Sequence, residues 1–111
     1  MLPSSQRLSV GQFNSVMEKG RAYHSSLFLM RVGQSDGKPR VSSVIPVKVA
    51  KKASMRNKYR RLIYDAVGPV FFRIKAEYHI VIFAKNTILK STPDQLSKEI
   101  LEIFVKAGLL M

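Results

Sequence analysis

Apolar residues recur at helical spacing in three stretches of the chain, and each stretch predicts a helix. In the first, Leu8–Gly20, Phe13 shares one face with Val16 and Met17. Ser9 and Gln12, three residues apart, predict a capping box at the start of this helix. Gly20 is a typical C-terminal stop.

The second stretch runs from about Ala53 to Phe71, where Gly68-Pro69 interrupts or ends it. The third begins at Thr92, with Pro93 in the first helical position and Gln95 completing a second capping box. Its predicted core face consists of Leu96, Ile100, Ile103, Phe104 and Ala107, and Gly108 ends the helix.

The stretches between these helices are rich in residues that favour strands. Arg21–Val32 predicts one strand or two. Gly33–Pro39 predicts a turn, so we expect Leu27–Val32 to pair antiparallel with Val41–Val49. Pro46 removes a backbone donor from the second run. Either that strand ends near Pro46, or the proline lies at a bulge or an edge.

Glu77–Ala84 is apolar on both faces, which predicts a central strand. The elements follow in the order helix, two or three strands, helix, strand, helix. We therefore expect residues 1–111 to form one α+β domain, an α-β sandwich with helices packed on a small sheet. The chain contains no Cys, which excludes a disulfide scaffold. It has no signal-like or membrane-spanning apolar run, so we expect a cytoplasmic protein.

Positive charge is concentrated in one segment. The net charge is +12, and the segment Gly37–Tyr64 contains nine Lys and Arg residues and no acid. The rest of the chain is nearly balanced, with ten basic and seven acidic residues. A polyanionic partner explains this concentration better than a solubility charge, a solvated helix face or an anionic membrane surface.

The second helix carries much of this charge on one side. At about 100° per residue, its apolar sector contains Met55, Tyr59, Leu62, Ile63 and Ala66. The opposite side contains Arg56, Asn57, Arg60, Arg61 and Tyr64. The pattern predicts a helix that packs by one face and presents cations on the other.

The sequence contains no recognisable group of catalytic residues. The acids are scattered, and no nucleophile–base pair or Gly-rich phosphate loop appears. We expect His79 in a buried strand and His24 in a loop or at a strand start, neither of them in a metal site. Phe13, Tyr23 and Phe28 are candidates to stack on unpaired bases, although core packing is the commoner role of such residues.

Four blocks of sequence resemble the bacterial ribonuclease P protein family. They are RLSVGQFNSVMEKG, VIPVKVAKKASMRN, RNKYRRLI and YHIVIFAK, in the family's order and at the family's length. The RNKYRRLI run, which begins at Arg56, is similar to the family's RNR signature. The resemblance implies the element order αβββαβα with an unusual left-handed βαβ crossover, whereas general topology rules favour a right-handed one.

The same resemblance implies a function: the protein subunit of an endoribonuclease that removes the 5′ leader from precursor tRNA. The partners would be the ribonuclease P RNA and precursor tRNA, with no membrane and no protein partner. Catalysis, with Mg²⁺ bound mainly by the RNA, would reside outside this chain. Contacts to the RNA subunit would come from Lys48, Lys51, Lys52, Arg56, Asn57, Lys58, Arg60 and Arg61. The leader-binding cleft would contain Phe13, Met17, Phe28 and Met30.

Departures from the family pattern indicate a divergent member. Lys58 occupies a position where the family has Arg, and Arg60 one where the family has Lys. These replacements keep the charge but change the geometry of the hydrogen-bond donors. Tyr64 replaces a frequent Arg, which we expect to weaken that end of the cationic side. Met17 replaces a frequent aromatic residue, and Ser26 replaces a frequent Arg.

Two other functions stay open at the level of the sequence. A small basic ribosomal or ribosome-associated protein would share the charge but would need no cleft beside the sheet. A DNA-binding helix protein is more remote, because the spacing before the basic helix does not fit a helix-turn-helix.

Overall fold

The predicted order of elements is confirmed in the computed structural model, which describes residues 3–35 and 37–111. The helices are α1 (Val10–Lys19), α2 (Ala53–Val67) and α3 (Pro93–Lys106). The strands are β1 (Arg21–His24), β2 (Phe28–Gln34), β3 (Arg40–Val44) and β4 (Tyr78–Ala84). Short 3₁₀ segments occupy Ser4–Gln6, Gly68–Arg73 and Asn86–Lys90. No helix in these two ranges has the length and apolar character needed to cross a bilayer.

Both predicted capping boxes are present. Ser9 Oγ accepts from Gln12 N at 3.2 Å, and Gln12 Oε1 accepts from Ser9 N at 2.8 Å. The same reciprocal pair joins Thr92 and Gln95, at 3.2 and 3.0 Å. These bonds satisfy backbone donors that a helix start otherwise leaves without a partner. Local sequence therefore sets where α1 and α3 begin.

The four strands form one sheet in the order β1-β2-β4-β3. β2 pairs antiparallel with β1 and β4, whereas β3 pairs parallel with β4. The predicted antiparallel pairing of Leu27–Val32 with Val41–Val49 is therefore wrong. β4, apolar on both faces, is inserted between the two strands, because a fully buried strand gains most at the centre of a sheet.

The alternatives left open by the sequence are resolved. Arg21–Val32 forms two strands, and β3 ends at Val44, before Pro46. Pro46 instead begins a turn in which its carbonyl accepts from Val49 N at 2.9 Å. In the predicted turn between β2 and β3, Asp36 lies outside the described residues.

The sheet separates two layers of helices. Side chains at alternate strand positions, including Phe28, Met30, Ile80 and Ile82, are completely buried with α2 and α3. The opposite face carries α1, which packs on β2 and β4. Gly33 permits this approach, because a Cβ there would lie 3.1 Å from the Val16 side chain.

Helix α2 connects two parallel neighbours, β3 and β4, so β3-α2-β4 is a βαβ unit. Parallel strands need such a crossover, since a short turn cannot join them. The left-handedness of this crossover stays a prediction from the family resemblance.

Tyr64 belongs to the packed side of α2, and its predicted place among the cations is wrong. The side chain is buried, and its hydroxyl accepts a hydrogen bond from Ser43 N at 3.1 Å. Ser43 lies in β3, the edge strand, so this bond satisfies an N–H that has no strand beside it. The apolar sector is wider than the sequence indicated, because Tyr64 combines a large apolar ring with a polar tip.

Glu99 joins α3 to the loop between β1 and β2. Its Oε1 accepts from Leu27 N at 2.7 Å and from Ser26 Oγ at 2.8 Å. Burial alone would raise the pKa of Glu99, but hydrogen bonds from Ser25, Ser26 and Leu27 outweigh it and hold the pKa below its ordinary value. Ser26, where the family often has Arg, therefore has a structural partner in this chain.

We predict that Tyr64→Phe lowers the free energy of unfolding by about 1–3 kcal/mol, because it leaves the Ser43 N–H buried without an acceptor. Denaturant unfolding measures this difference, with an unchanged m value. Tyr59→Phe is the matched control, since Tyr59 is a buried tyrosine on the same helix. Equal destabilisation by both substitutions would contradict the role given to the Tyr64 hydroxyl.

Candidate nucleic-acid interface

The outer side of α2 and the residues just before it form an exposed, mostly cationic surface. Its members, which we call the cationic face, are the exposed residues Lys51, Lys52, Asn57, Lys58 and Arg61. The first acid of α2 is Asp65, one turn after Arg61. The apolar side of the helix holds this face outward, because Tyr59, Ile63, Tyr64 and Val67 are buried in the core.

Arg56 has a structural role in addition to its charge. Its Nη1 donates to Ala50 O at 3.0 Å and to Lys51 O at 2.7 Å. Arg56 is half-buried, and its guanidinium fixes the end of the segment that leads into α2. Arg56 therefore positions Lys51 and Lys52 beside the helix, and its other donors stay available to a ligand.

The side chains of α2 also organise one another. Arg60 is half-buried, and its Nη1 donates to Asn57 Oδ1 at 2.6 Å. Lys58 Nζ lies 5.7 Å from the centroid of the Tyr59 ring, within range of a cation–π interaction. Such contacts limit the number of side-chain conformations that a ligand must select.

A pocket of about 380 Å³ opens on the α1 side of the sheet. We call it the cleft, and its lining comes from β1, β2, β4 and the segments that follow β3 and β4. The lining residues are His24, Leu29, Pro46, Lys48, Val49, Phe83, Ala84, Lys85 and Asn86. It is thus a groove between the sheet and the turn that begins at Pro46.

The floor of the cleft is apolar and its margin is cationic. Leu29 and Phe83 are paired neighbours on β2 and β4, and both are half-buried. Phe13 of α1 meets the Phe83 ring edge-on, with ring centroids 6.4 Å apart. Lys48 and Lys85 add positive charge. An apolar floor with aromatic rings and a cationic margin suits unpaired bases joined by phosphates.

Two of the four residues predicted for the cleft are in the wrong layer. Phe28 and Met30 have no exposed surface and belong to the core between the sheet and α2–α3. Strand side chains alternate between faces, so the cleft receives their neighbour Leu29 instead. Phe13 is half-buried beside the cleft, and Met17, one turn later on α1, is 37% exposed.

Arginines from two strands fix α1 against the sheet. Arg31 Nη2 donates to Met17 O at 3.0 Å and to Gly20 O at 2.8 Å, at the C-terminal end of the helix. Arg40 Nη1 donates to Ser5 O at 2.7 Å, ahead of its N-terminal end. Helix α1, whose Phe13 packs against Phe83 beside the cleft, is therefore held at both ends.

The two histidines have different environments. His79 is buried in β4, as predicted, with Nε2 3.2 Å from Lys38 O. His24, predicted in a loop or at a strand start, is instead the last residue of β1, where it is exposed and lines the cleft. Among residues 3–35 and 37–111, no group of three or more His, Cys, Asp or Glu side chains is arranged to hold a metal ion.

Sequence reasoning missed several cleft residues and assigned one to another surface. Leu29, Phe83 and Lys85 were not predicted, and Lys48, predicted to bind an RNA subunit, lines the cleft. The run Leu27–Val32 is apolar at most positions, so alternation could not show which residues face the core. The pairing of β2 with β4 decides this.

Comparison with known proteins identifies the family. The family model described as Ribonuclease P matches residues 2–108. The ribonuclease P protein component of Symbiobacterium thermophilum is 29% identical over 99 residues, which cover 88% of this chain and 86% of the relative. That of Synechocystis sp. is 29% identical over 113 residues, which cover 98% and 90%.

Solved structures agree on the fold. The mutant Staphylococcus aureus ribonuclease P protein with defective mRNA degradation activity superposes with a TM-score of 0.86, covering 96% of this chain and 91% of the other at 17% identity. The Thermotoga maritima ribonuclease P protein gives 0.75, covering 86% and 92% at 18% identity. These similarities support the α+β architecture.

We predict that changing Lys52, Lys58 and Arg61 together to Ala weakens binding to a structured RNA. The slope of log affinity against log salt should fall by about 2–3, because each lost phosphate contact removes roughly 0.7–0.9. Filter binding at several salt concentrations measures the slope. The control is Lys90, Lys98 and Lys106 changed to Ala, three exposed lysines outside the cationic face. The same loss of slope in both variants would show that net charge alone is responsible.

Proposed function

This chain belongs to the ribonuclease P protein family, and from that premise we propose that it binds ribonuclease P RNA and precursor tRNA. Together they would remove the 5′ leader of the tRNA in the bacterial cytoplasm. The observation that carries the proposal is the pairing of two surfaces on one small domain. One is the cationic face, and the other is a cleft with an apolar floor.

In this proposal, the cationic face binds the RNA subunit. A large folded RNA needs its backbone charge neutralised, and lysines and arginines supply that through phosphate contacts and counterion release. Arg61 offers a planar fork of donors, whereas Lys58 and Lys52 act as point charges. The packed side of α2 supports the arrangement, because it holds these groups in place before the RNA arrives.

The cleft would hold the single-stranded leader. Bases of any sequence can stack on the rings of Phe83 and Phe13, while Lys48 and Lys85 meet the phosphates. Mature tRNA lacks the leader and gains nothing from this surface. The protein would therefore favour substrate over product and help to position the scissile bond against the catalytic RNA.

We assign Mg²⁺, which the family resemblance implies, mainly to the RNA partner. The described residues offer no cluster of acids or histidines for a divalent cation, whereas RNA phosphates are the hard oxygen ligands that Mg²⁺ prefers. This chain's own contribution would be binding: neutralising charge, excluding water from the cleft and orienting the leader.

A ribosomal or ribosome-associated role is not favoured. That alternative requires a basic surface but no cleft beside the sheet, and the family match gives it no support. Five of the cleft's residues lie within five positions after the end of β3 or β4: Pro46, Lys48, Val49, Lys85 and Asn86. A surface built at the ends of two neighbouring strands supports a binding role for this side of the sheet.

Reconstitution tests the proposal directly. The chain is added to a bacterial ribonuclease P RNA at low Mg²⁺, and release of the 5′ leader from precursor tRNA is followed with time. We expect the rate to rise when the protein is added, because its cations replace part of the charge screening that Mg²⁺ supplies. Absence of stimulation across several ribonuclease P RNAs would contradict the proposal.

Within the same complex, we predict that Phe83→Leu weakens binding of precursor tRNA by about tenfold, because an aromatic stack is worth ~1–3 kcal/mol per base. Binding of mature tRNA should not change. The substitution keeps the floor apolar and removes the aromatic ring. Phe72→Leu is the matched control, since Phe72 is 78% exposed and lies outside the cleft. Equal losses of affinity for precursor and mature tRNA would contradict the proposal that the cleft binds the leader.

A further inference from the structure

A larger pocket, of about 510 Å³, lies away from both surfaces described above. We call it the tyrosine pocket. Its lining residues are Ser15, Lys19, Arg21, Tyr23, Val32, Gly33, Gln34, Tyr78, Ala107 and Leu109. None of them belongs to the cleft or to the cationic face.

The tyrosine pocket lies at the opposite end of the sheet from the cleft. Its lining includes Val32–Gln34 at the end of β2 and Tyr78 at the start of β4, whereas the cleft is lined by Leu29 near the start of β2. Gln34 is five residues beyond Leu29, or about 16 Å along the strand. A ligand in this pocket would therefore not compete with one in the cleft.

The lining has an apolar floor, two aromatic sides and a cationic margin. Val32 and Leu109 are buried, while Tyr23 and Tyr78 are half-buried. Lys19 and Arg21 are exposed, and the lining contains no acid. This combination matches a planar, hydrophobic group attached to an anion.

The fold itself does not use these polar groups. Within the described ranges, no side-chain hydrogen bond or ion pair engages Lys19, Arg21 or the hydroxyls of Tyr23 and Tyr78. Arg31, a neighbour of these residues, differs because it binds the carbonyls at the end of α1. The free donors of the tyrosine pocket are thus available to a ligand at no cost to stability.

We propose that the tyrosine pocket binds one nucleotide of an RNA strand, with the base against Tyr23 and Tyr78 and the phosphate at Lys19 and Arg21. The volume is within the ~300–1,000 Å³ typical of small-ligand sites. Stacking on tyrosine accepts any base, and two cations without an acid favour a phosphate over a neutral group. This site goes beyond the proposed function and is tested on the isolated chain.

The experiment titrates the ¹⁵N-labelled protein with adenosine 5′-monophosphate, ribose 5-phosphate and a pentaadenylate RNA, and follows amide chemical shifts. We expect saturable shifts at Tyr23, Gln34 and Tyr78 with the mononucleotide and the pentanucleotide. Ribose 5-phosphate should bind about tenfold more weakly, because it lacks the stacking base. A pocket that takes the mononucleotide but rejects the pentanucleotide would overturn the assignment to an RNA strand.

Matched variants separate this site from general phosphate attraction. The double substitution Lys19→Ala and Arg21→Ala should weaken binding of the mononucleotide by about tenfold. The double substitution Lys90→Ala and Lys98→Ala removes the same charge elsewhere and should leave this binding unchanged. Tyr23→Phe should keep binding, and Tyr23→Leu should lose it. Shifts confined to α2, or equal effects of the two charge variants, would overturn the proposal.

Discussion

Burial of the apolar side of α2 is the interaction on which this protein depends. The helix carries a dense set of cations whose mutual repulsion opposes folding. Tyr59, Ile63, Tyr64 and Val67 offset that repulsion by removing apolar surface from water, at about 25 cal/mol for each Å². The hydrogen bond from Ser43 N to the Tyr64 hydroxyl fixes the position of α2 relative to β3. Charge and fold are thus coupled through one helix.

The same packing places the two proposed RNA surfaces relative to each other. The segment after β3 turns at Pro46, and its Lys48 lines the cleft. Arg56 then holds the end of this segment through a hydrogen bond to Ala50 O, just before α2 begins. The sixteen residues Pro46–Arg61 therefore supply one side of the cleft and the whole cationic face. A ligand on one surface would lie close to a ligand on the other.

Local signals in the sequence predicted the element order, both capping boxes and the central position of β4. These signals did not predict the features that depend on which strands pair with each other. The Gly33–Pro39 turn suggested a hairpin, but β4 separates β2 from β3. The family resemblance placed Phe28 and Met30 in the cleft, and the apolar run that contains them could not show that they face the core. The helical wheel placed Tyr64 on the cationic side of α2, because a wheel considers only angular position and not the hydrogen bond that the Tyr64 hydroxyl makes with Ser43 N.

The absence of Cys from the chain permits the most direct test of the central claim. A single Cys introduced by Lys58→Cys or by Met17→Cys carries a tethered hydroxyl-radical probe in the reconstituted complex with precursor tRNA. The account predicts strand cleavage in the ribonuclease P RNA from position 58 and in the 5′ leader from position 17. A probe at position 17 that cuts mature and precursor tRNA alike, and leaves the leader intact, would contradict it.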